Sequence, residues 1–235
     1  MEGTRVAAHG DGRPAMSEQD VEDECAARFV AVAGMALAFY SPQNVDRLVS
    51  LYRAARRAGR TFVMDLYAAS IAAATGRSTV PRSGWDGVRV YLPRSQRQRV
   101  IQAGAYERVE AVRAARVYPE ELGARPEDFF MTCRSSMLDD LERARCLDRA
   151  EAVWSMWPGY LERDQGVALR TRLERLDVRL STVHASGHAT PQDLGRFVTA
   201  LGAERVVPVH TDAPERFADL FGGVDVQPDA RWWPV

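Results

Sequence analysis

Residues 35–66 read MALAFYSPQNVDRLVSLYRAARRAGRTFVMDL, and this stretch decides the fold class. Met35 to Tyr40 is a short apolar run with the length and composition of a buried strand. Ser41 is a capping side chain, and Pro42 suits a first helical position, where its missing N–H costs nothing. Val45, Leu48, Val49, Tyr52 and Ala55 then recur at helical spacing, while Arg47, Arg53, Arg56 and Arg57 fall largely elsewhere on that helix. Gly59 sits where a helix ends, and Thr61 to Leu66 is strand-like again. Strand, helix, strand in that order predicts a right-handed βαβ unit and a parallel pair. Ligands gather at the carboxyl ends of such strands. Those ends carry Tyr40, Ser41, Gln43 and Asn44 in one case, and Asp65 and Tyr67 in the other. A binding rim and ordinary capping chemistry both explain them.

Outward from this unit, 235 residues suffice for one large domain or two small ones. The 31 basic and 32 acidic residues leave a net charge of −1. That balance excludes a wholesale basic coat for nucleic acid and leaves room for a local basic groove. Every basic residue is Arg. Codon bias accounts for this, and so does phosphate recognition by a planar fork of donors. Cys25, Cys133 and Cys146 are odd in number and lack a CxxC spacing, which argues against a disulfide framework and points to a reducing compartment. The longest nearly apolar run, Phe29 to Tyr40, is 12 residues, short of the ~20 needed to span a bilayer. The expectation is a soluble, cytoplasmic chain that does not bind membranes.

Toward the N-terminus the first two dozen residues read as loop, then Ser17 leads into a helix over Val21–Val32. Further strands are predicted at 88–92, 128–132 and 152–157, the first alternating like a sheet edge. The segment 94–116 carries Arg94, Arg97, Arg99, Arg108, Arg113 and Arg116 against Glu107 and Glu110, a local net of +4. It is either a phosphate-facing surface or a solvated helix face. From Arg179 alternation returns, and a strand runs to His184 and the turn Ala185-Ser186-Gly187-His188. Thr190 caps a helix with Pro191 inside it and Gly202 at its end. A second strand is predicted at 205–210 and a short helix at 214–221, again in βαβ order.

Three of the four histidines, His184, His188 and His210, fall at these strand ends. Imidazole is a common metal ligand and a proton donor near neutral pH. If the two strands are neighbours, His188 and His210 converge. A Ser186–His188 nucleophile pair is disfavoured, because the elbow motif that would present the serine is absent.

These residues resemble the β-CASP branch of the metallo-β-lactamase-fold hydrolases, the ribonuclease J-like group in particular. Val183-His184-Ala185-Ser186-Gly187-His188-Ala189 is similar to that group's HxSGHA turn, and Val207-Pro208-Val209-His210-Thr211 to its P-V-H turn. Phe39 to Leu48 resembles the Ser-x-x-x-Arg segment that opens a β-CASP helix, and Arg57 to Val63 the Gly-Arg lead into the next strand. Met1-Glu2-Gly3-Thr4 resembles the turn that holds an acidic residue. The resemblance implies an α/β fold: a β-CASP domain, a parallel sheet flanked by helices, at 25–177. Residues 1–24 would be a residual metallo-β-lactamase segment, and 178–235 the C-terminal portion of the αββα sandwich. It implies zinc-dependent hydrolysis of phosphodiesters in single-stranded RNA. Under it, His188 and Glu2 are catalytic and His210 is a zinc ligand, while Ser41, Asn44, Arg47, His184, Ser186 and Gly187 contact substrate.

The group's main metal motif, H-x-H-x-D-H, does not occur in the sequence, where His9 stands alone. A zinc-bound hydroxide needs several ligands and an open position. The expectation is therefore a partial enzyme, inactive as this chain alone, whose two zinc ions require a missing N-terminal half. A start at an internal methionine, a split enzyme and a homo-oligomer all fit that expectation. Two other readings compete: a non-catalytic RNA-binding or scaffold module using the arginine-rich surface, and a hydrolase of a non-nucleic substrate.

Overall fold

The computed structural model describes residues 1–7 and 16–233; His9 lies outside them. The chain forms two compact units, one of residues 16–185 and a smaller one from the two ends of the sequence. Helix α1 (Thr4–Ala7) belongs to the smaller unit.

The larger unit opens with α2 (Glu18–Ala31), started by a reciprocal capping box between Ser17 and Asp20. Then follow β1 (Ala36–Phe39), α3 (Val45–Arg57), β2 (Thr61–Asp65), α4 (Leu66–Ala74), β3 (Val88–Tyr91), α5 (Arg94–Ala103), α6 (Glu107–Glu110) and β4 (Arg116–Val117). After these come α7 (Pro119–Ala124), β5 (Phe129–Cys133), α8 (Leu138–Arg143), β6 (Glu151–Trp154), α9 (Asp164–Arg175) and β7 (Arg179–Thr182). All seven strands join one parallel sheet in the order β4-β3-β2-β5-β1-β6-β7. This bears out the α/β class and the parallel direction of β1 and β2, but the two strands are not the expected pair, because β5 lies between them.

Strand alternation divides the core into two layers. Ala36, Ala38, Phe62, Met64, Val88, Val90, Phe130 and Val153 face helices α2 to α5. Leu37, Phe39, Val63, Met131, Cys133, Ala152 and Trp154 face α7, α8 and α9. On the first face the chain winds outward from β1 through β2 and β3 to β4. On the second it returns through β5 and β6 to β7. The connections leaving β1 and β6 therefore diverge, as do those leaving β2 and β5. Such divergence opens crevices at carboxyl strand ends.

Four further sequence expectations need correction. Helix α3 begins at Val45 with Asn44 as its cap, not at Pro42 with Ser41. Asn44 Oδ1 accepts from the Arg47 N–H at 2.9 Å, and the Asn44 N–H closes a turn onto the Ser41 carbonyl at 2.9 Å. Pro42 thus sits in a turn, a position its fixed φ equally suits. Strand β3 is not an edge, because β4, unread in the sequence among helix-forming residues, covers it. Part of the N-terminal segment read as loop is α1. Finally, 205–210 is not a strand partnered with 179–184. β7 pairs β6 alone, and Val206 and Val209 make only isolated bridges to Val224 and Glu2. Pro208, which lacks a donor, interrupts that run.

The smaller unit packs Val6, Leu194, Val206 and Phe217 together around α10 (Pro191–Leu201) and α11 (Phe217–Leu220). Thr190 caps α10, accepting from the Asp193 N–H, and Gly202 ends it at φ 60°. Among the described residues no helix is long and apolar enough to cross a membrane.

Candidate functional site

In the smaller unit, a parallel bridge between Glu2 and Val209 brings residues from the two ends of the sequence side by side. Gly3 makes this possible. A Cβ there would lie 2.3 Å from the buried Phe217 ring, so only glycine lets Glu2 and Thr4 flank that ring. The Thr4 N–H donates to Glu2 Oε1 at 2.7 Å, and Glu2 Oε1 lies 2.9 Å from His188 Nδ1. Thr4 Oγ1 and His210 Nδ1 are 3.2 Å apart. The two imidazole rings stand 6.1 Å apart between centroids. Burial on its own would raise the Glu2 carboxyl. Thr4 hydrogen bonds and the two imidazoles outweigh it and hold the group below its ordinary value.

His210 has φ of 54°. His is among the few non-glycine residues enriched in this left-handed region. The Ser186 hydroxyl accepts from the His188 N–H at 3.3 Å, and Gly187 is exposed at the apex of the turn. Glu2, His188 and His210 are thus brought together. Each imidazole has Nδ1 engaged, and Nε2 is the atom left to meet a ligand. A carboxylate at His188 Nδ1 holds a proton on that nitrogen and orients the ring, which leaves Nε2 facing outward.

A second network lies in the larger unit, where the carboxyl ends of β1 and β6 diverge. Arg47 is 0% exposed. Its Nη1 donates to the Ser155 carbonyl at 2.8 Å and to Ser155 Oγ at 2.6 Å, and its Nη2 donates to the Ala185 carbonyl at 3.0 Å. Nε and Nη2 also form a fork on the Glu18 carboxylate at 2.9 and 2.8 Å. His184 Nδ1 lies 3.4 Å from Arg47 Nη1. Burial, reinforced by the adjacent guanidinium, pushes the His184 pKa down, so its ring is held neutral. The Arg47 donors are therefore directed to protein acceptors. Ser41 is half-buried and Asn44 exposed, the latter occupied as the α3 cap.

The partners in both networks were not apparent in the sequence. Thr4, Glu18 and Ser155 are ordinary polar residues. The only available signal was position: Ser155 directly follows a strand, and Glu18 opens a helix. The Arg94–Arg116 run does not form one surface. Arg94, Arg97 and Arg116 line a cleft of about 530 Å³ with Arg143. Arg99 and Arg108 line a separate one of about 170 Å³.

The zinc that the resemblance implies needs several protein ligands around each ion. Among the described residues, no three His, Cys, Asp or Glu side chains are grouped to hold a metal ion. Glu2 Oε1 and both imidazole Nδ1 atoms are committed to hydrogen bonds. These residues do not by themselves fit a two-ion centre.

No family model and no curated protein matches the chain. Among solved structures, it is similar to a crystallised protein of unknown function from Enterococcus faecalis V583. The TM-score is 0.67 and the identity 17%, over 97% of this chain and 49% of that one. The chain spans about half the length of that protein, and the likeness is one of fold.

Proposed function

We propose that the chain is the β-CASP and C-terminal portion of a metallo-β-lactamase-fold hydrolase acting on phosphodiester bonds in single-stranded RNA. The observation that supports this reading is the gathering of Glu2, Thr4, His188 and His210 from three distant segments. In this reading Glu2 orients His188, whose doubly protonated ring donates Nε2–H to a non-bridging or leaving oxygen of the scissile phosphate. The Arg47 network is a positioning device: it holds the carbonyls of Ser155 and Ala185, and with them the strand that leads to the histidine turn. No step is assigned to a metal. Residues beyond this donor set, in another segment or a second chain, would have to complete such a centre.

The test is a pair of measurements on the purified chain. The expected result is salt-sensitive binding of single-stranded RNA that His188→Ala and Glu2→Gln each weaken about tenfold, a loss typical of a charged hydrogen bond. No zinc-dependent cleavage is expected. RNA binding indifferent to both substitutions would refute the phosphate-contact role. Stoichiometric zinc with cleavage lost in His210→Asn, which tolerates the left-handed backbone, would refute the incomplete centre.

One observation favours a second reading, a non-catalytic RNA-binding module. Arg94, Arg97, Arg116 and Arg143 surround one cleft, and the Arg116 guanidinium lies 4.7 Å from the centroid of the Tyr118 ring. That reading predicts RNA binding that survives both histidine changes and falls with Arg94→Gln and Arg97→Gln.

A further inference from the structure

One unexplained feature of the larger unit is a cleft of about 610 Å³ across the carboxyl ends of β5, β1 and β6. Tyr40, on its wall, is 5% exposed, yet its hydroxyl meets no hydrogen-bond partner among the described residues. Burial, and after it the nearby Asp65, push its ionisation far up, so the hydroxyl stays a donor. Arg134, on the same wall, repeats the pattern. Its Nε pairs with Asp65 at 2.8 Å and its guanidinium lies 4.5 Å from the Tyr67 ring centroid. Its Nη2 is buried and meets no hydrogen-bond partner among the described residues. A buried donor left unpaired is destabilising, and two on one wall are rare in a folded protein.

The rest of the cleft is of a different kind. Trp154 and Met156 line it with Tyr160, whose ring is exposed and meets Trp157 edge-on at 5.3 Å. The Arg163 guanidinium lies 5.1 Å from the Tyr160 ring centroid. One end of the cleft therefore offers fixed donors and positive charge, and the other offers flat aromatic and thioether surface. Apolar walls with a few convergent polar groups are the general form of a small-molecule site. The chemistry that satisfies both ends is a planar ring joined to an anion.

We propose that this cleft binds a nucleotide unit. Its phosphate is held by the Tyr40 hydroxyl and Arg134 Nη2, with Arg163 contributing charge, and its base lies against Tyr160 and Met156. The inference rests on the larger unit alone and does not require the hydrolase reading. A free mononucleotide and a nucleotide within an RNA strand share this chemistry.

The experiment is calorimetric titration of the whole chain with adenosine 5′-monophosphate, adenosine and inorganic phosphate. One mononucleotide should bind per chain, with adenosine and phosphate each at least tenfold weaker. Tyr40→Phe should weaken the mononucleotide about tenfold while the melting temperature holds or rises, because the substitution removes an unpaired buried hydroxyl. Tyr160→Ala, at an exposed position, should weaken it comparably. Absence of mononucleotide binding would overturn the proposal, and so would a Tyr40→Phe variant that binds like the native chain. Competition by an oligoadenylate would identify the strand as a source of the ligand. Mononucleotide binding without such competition would identify the free nucleotide. Because His188 and Glu2 lie in the other unit, their substitution should leave this titration unchanged even if the hydrolase reading fails.

Discussion

Replacing Arg47 with Met separates what the guanidinium does from what its stem does. Met keeps much of the apolar volume in a site where Arg47 is 0% exposed, so the loss is chiefly polar. Two backbone carbonyls, of Ser155 and Ala185, lose a charged donor in a buried setting. At about 1–3 kcal/mol for each group left unpaired, with water recovering part, the expected cost is about 3 kcal/mol. That is a large share of the ~5–15 kcal/mol by which a domain is stable. The Glu18 side chain is 37% exposed and rehydrates when its partner goes, so Glu18→Gln should cost under about 1 kcal/mol. The assay is urea unfolding of both variants, followed by near-ultraviolet circular dichroism. Equal losses for the two would refute the argument that carbonyl anchoring, rather than the ion pair, is the main contribution. So would an Arg47→Met loss below about 1 kcal/mol.

Other outcomes follow from the same geometry. The folded His184 pKa lies below 6.5, so between the two values the unfolded chain binds more protons. Stability therefore falls as pH drops below about 6.5, and His184→Gln should flatten that slope in urea midpoints between pH 5 and 7.5. Gly3→Ala puts a methyl 2.3 Å from the Phe217 ring and should destabilise the smaller unit by about 1–3 kcal/mol, read as faster hydrogen exchange at the Thr4 amide. Gly195→Ala is its control, since that Cβ meets only Phe221 at 3.8 Å and helix propensity favours Ala by about 1 kcal/mol. Burial pushes the Cys25 and Cys146 thiols up to about 12 and Cys133 higher still. Ellman's reagent should leave all three untouched at pH 8 in the native chain and titrate all three in guanidinium chloride.

The sheet was legible wherever a strand is buried on both faces. Met35–Tyr40 and Thr61–Leu66 are apolar runs because helices cover each side of β1 and β2, and that pattern survives in sequence. β4 was not legible. Its two residues, Arg116 and Val117, gain strand character only from pairing with β3. The 205–210 run failed for the opposite reason: its alternation is real, but its partners are a single bridge on each side. At the candidate site the histidines announced themselves by residue type. Thr4 and Ser155 did not, because their importance comes from what folding places opposite them.

The rim of the nucleotide-sized cleft is shaped by backbone as much as by side chains. A Cβ at Gly166 would lie 2.1 Å from the Tyr160 carbonyl, and one at Gly159 would enter the Trp157 ring at 2.3 Å. The loop is thus moulded onto the first turn of α9 at Gly166, where backbone leaves no room for a side chain. A side chain at Gly159 would displace the exposed Trp157 ring. A library meant to change which ring the cleft accepts should randomise Met156, Tyr160 and Arg163 and leave both glycines alone. Altered specificity would then arise from new side chains on an unchanged frame.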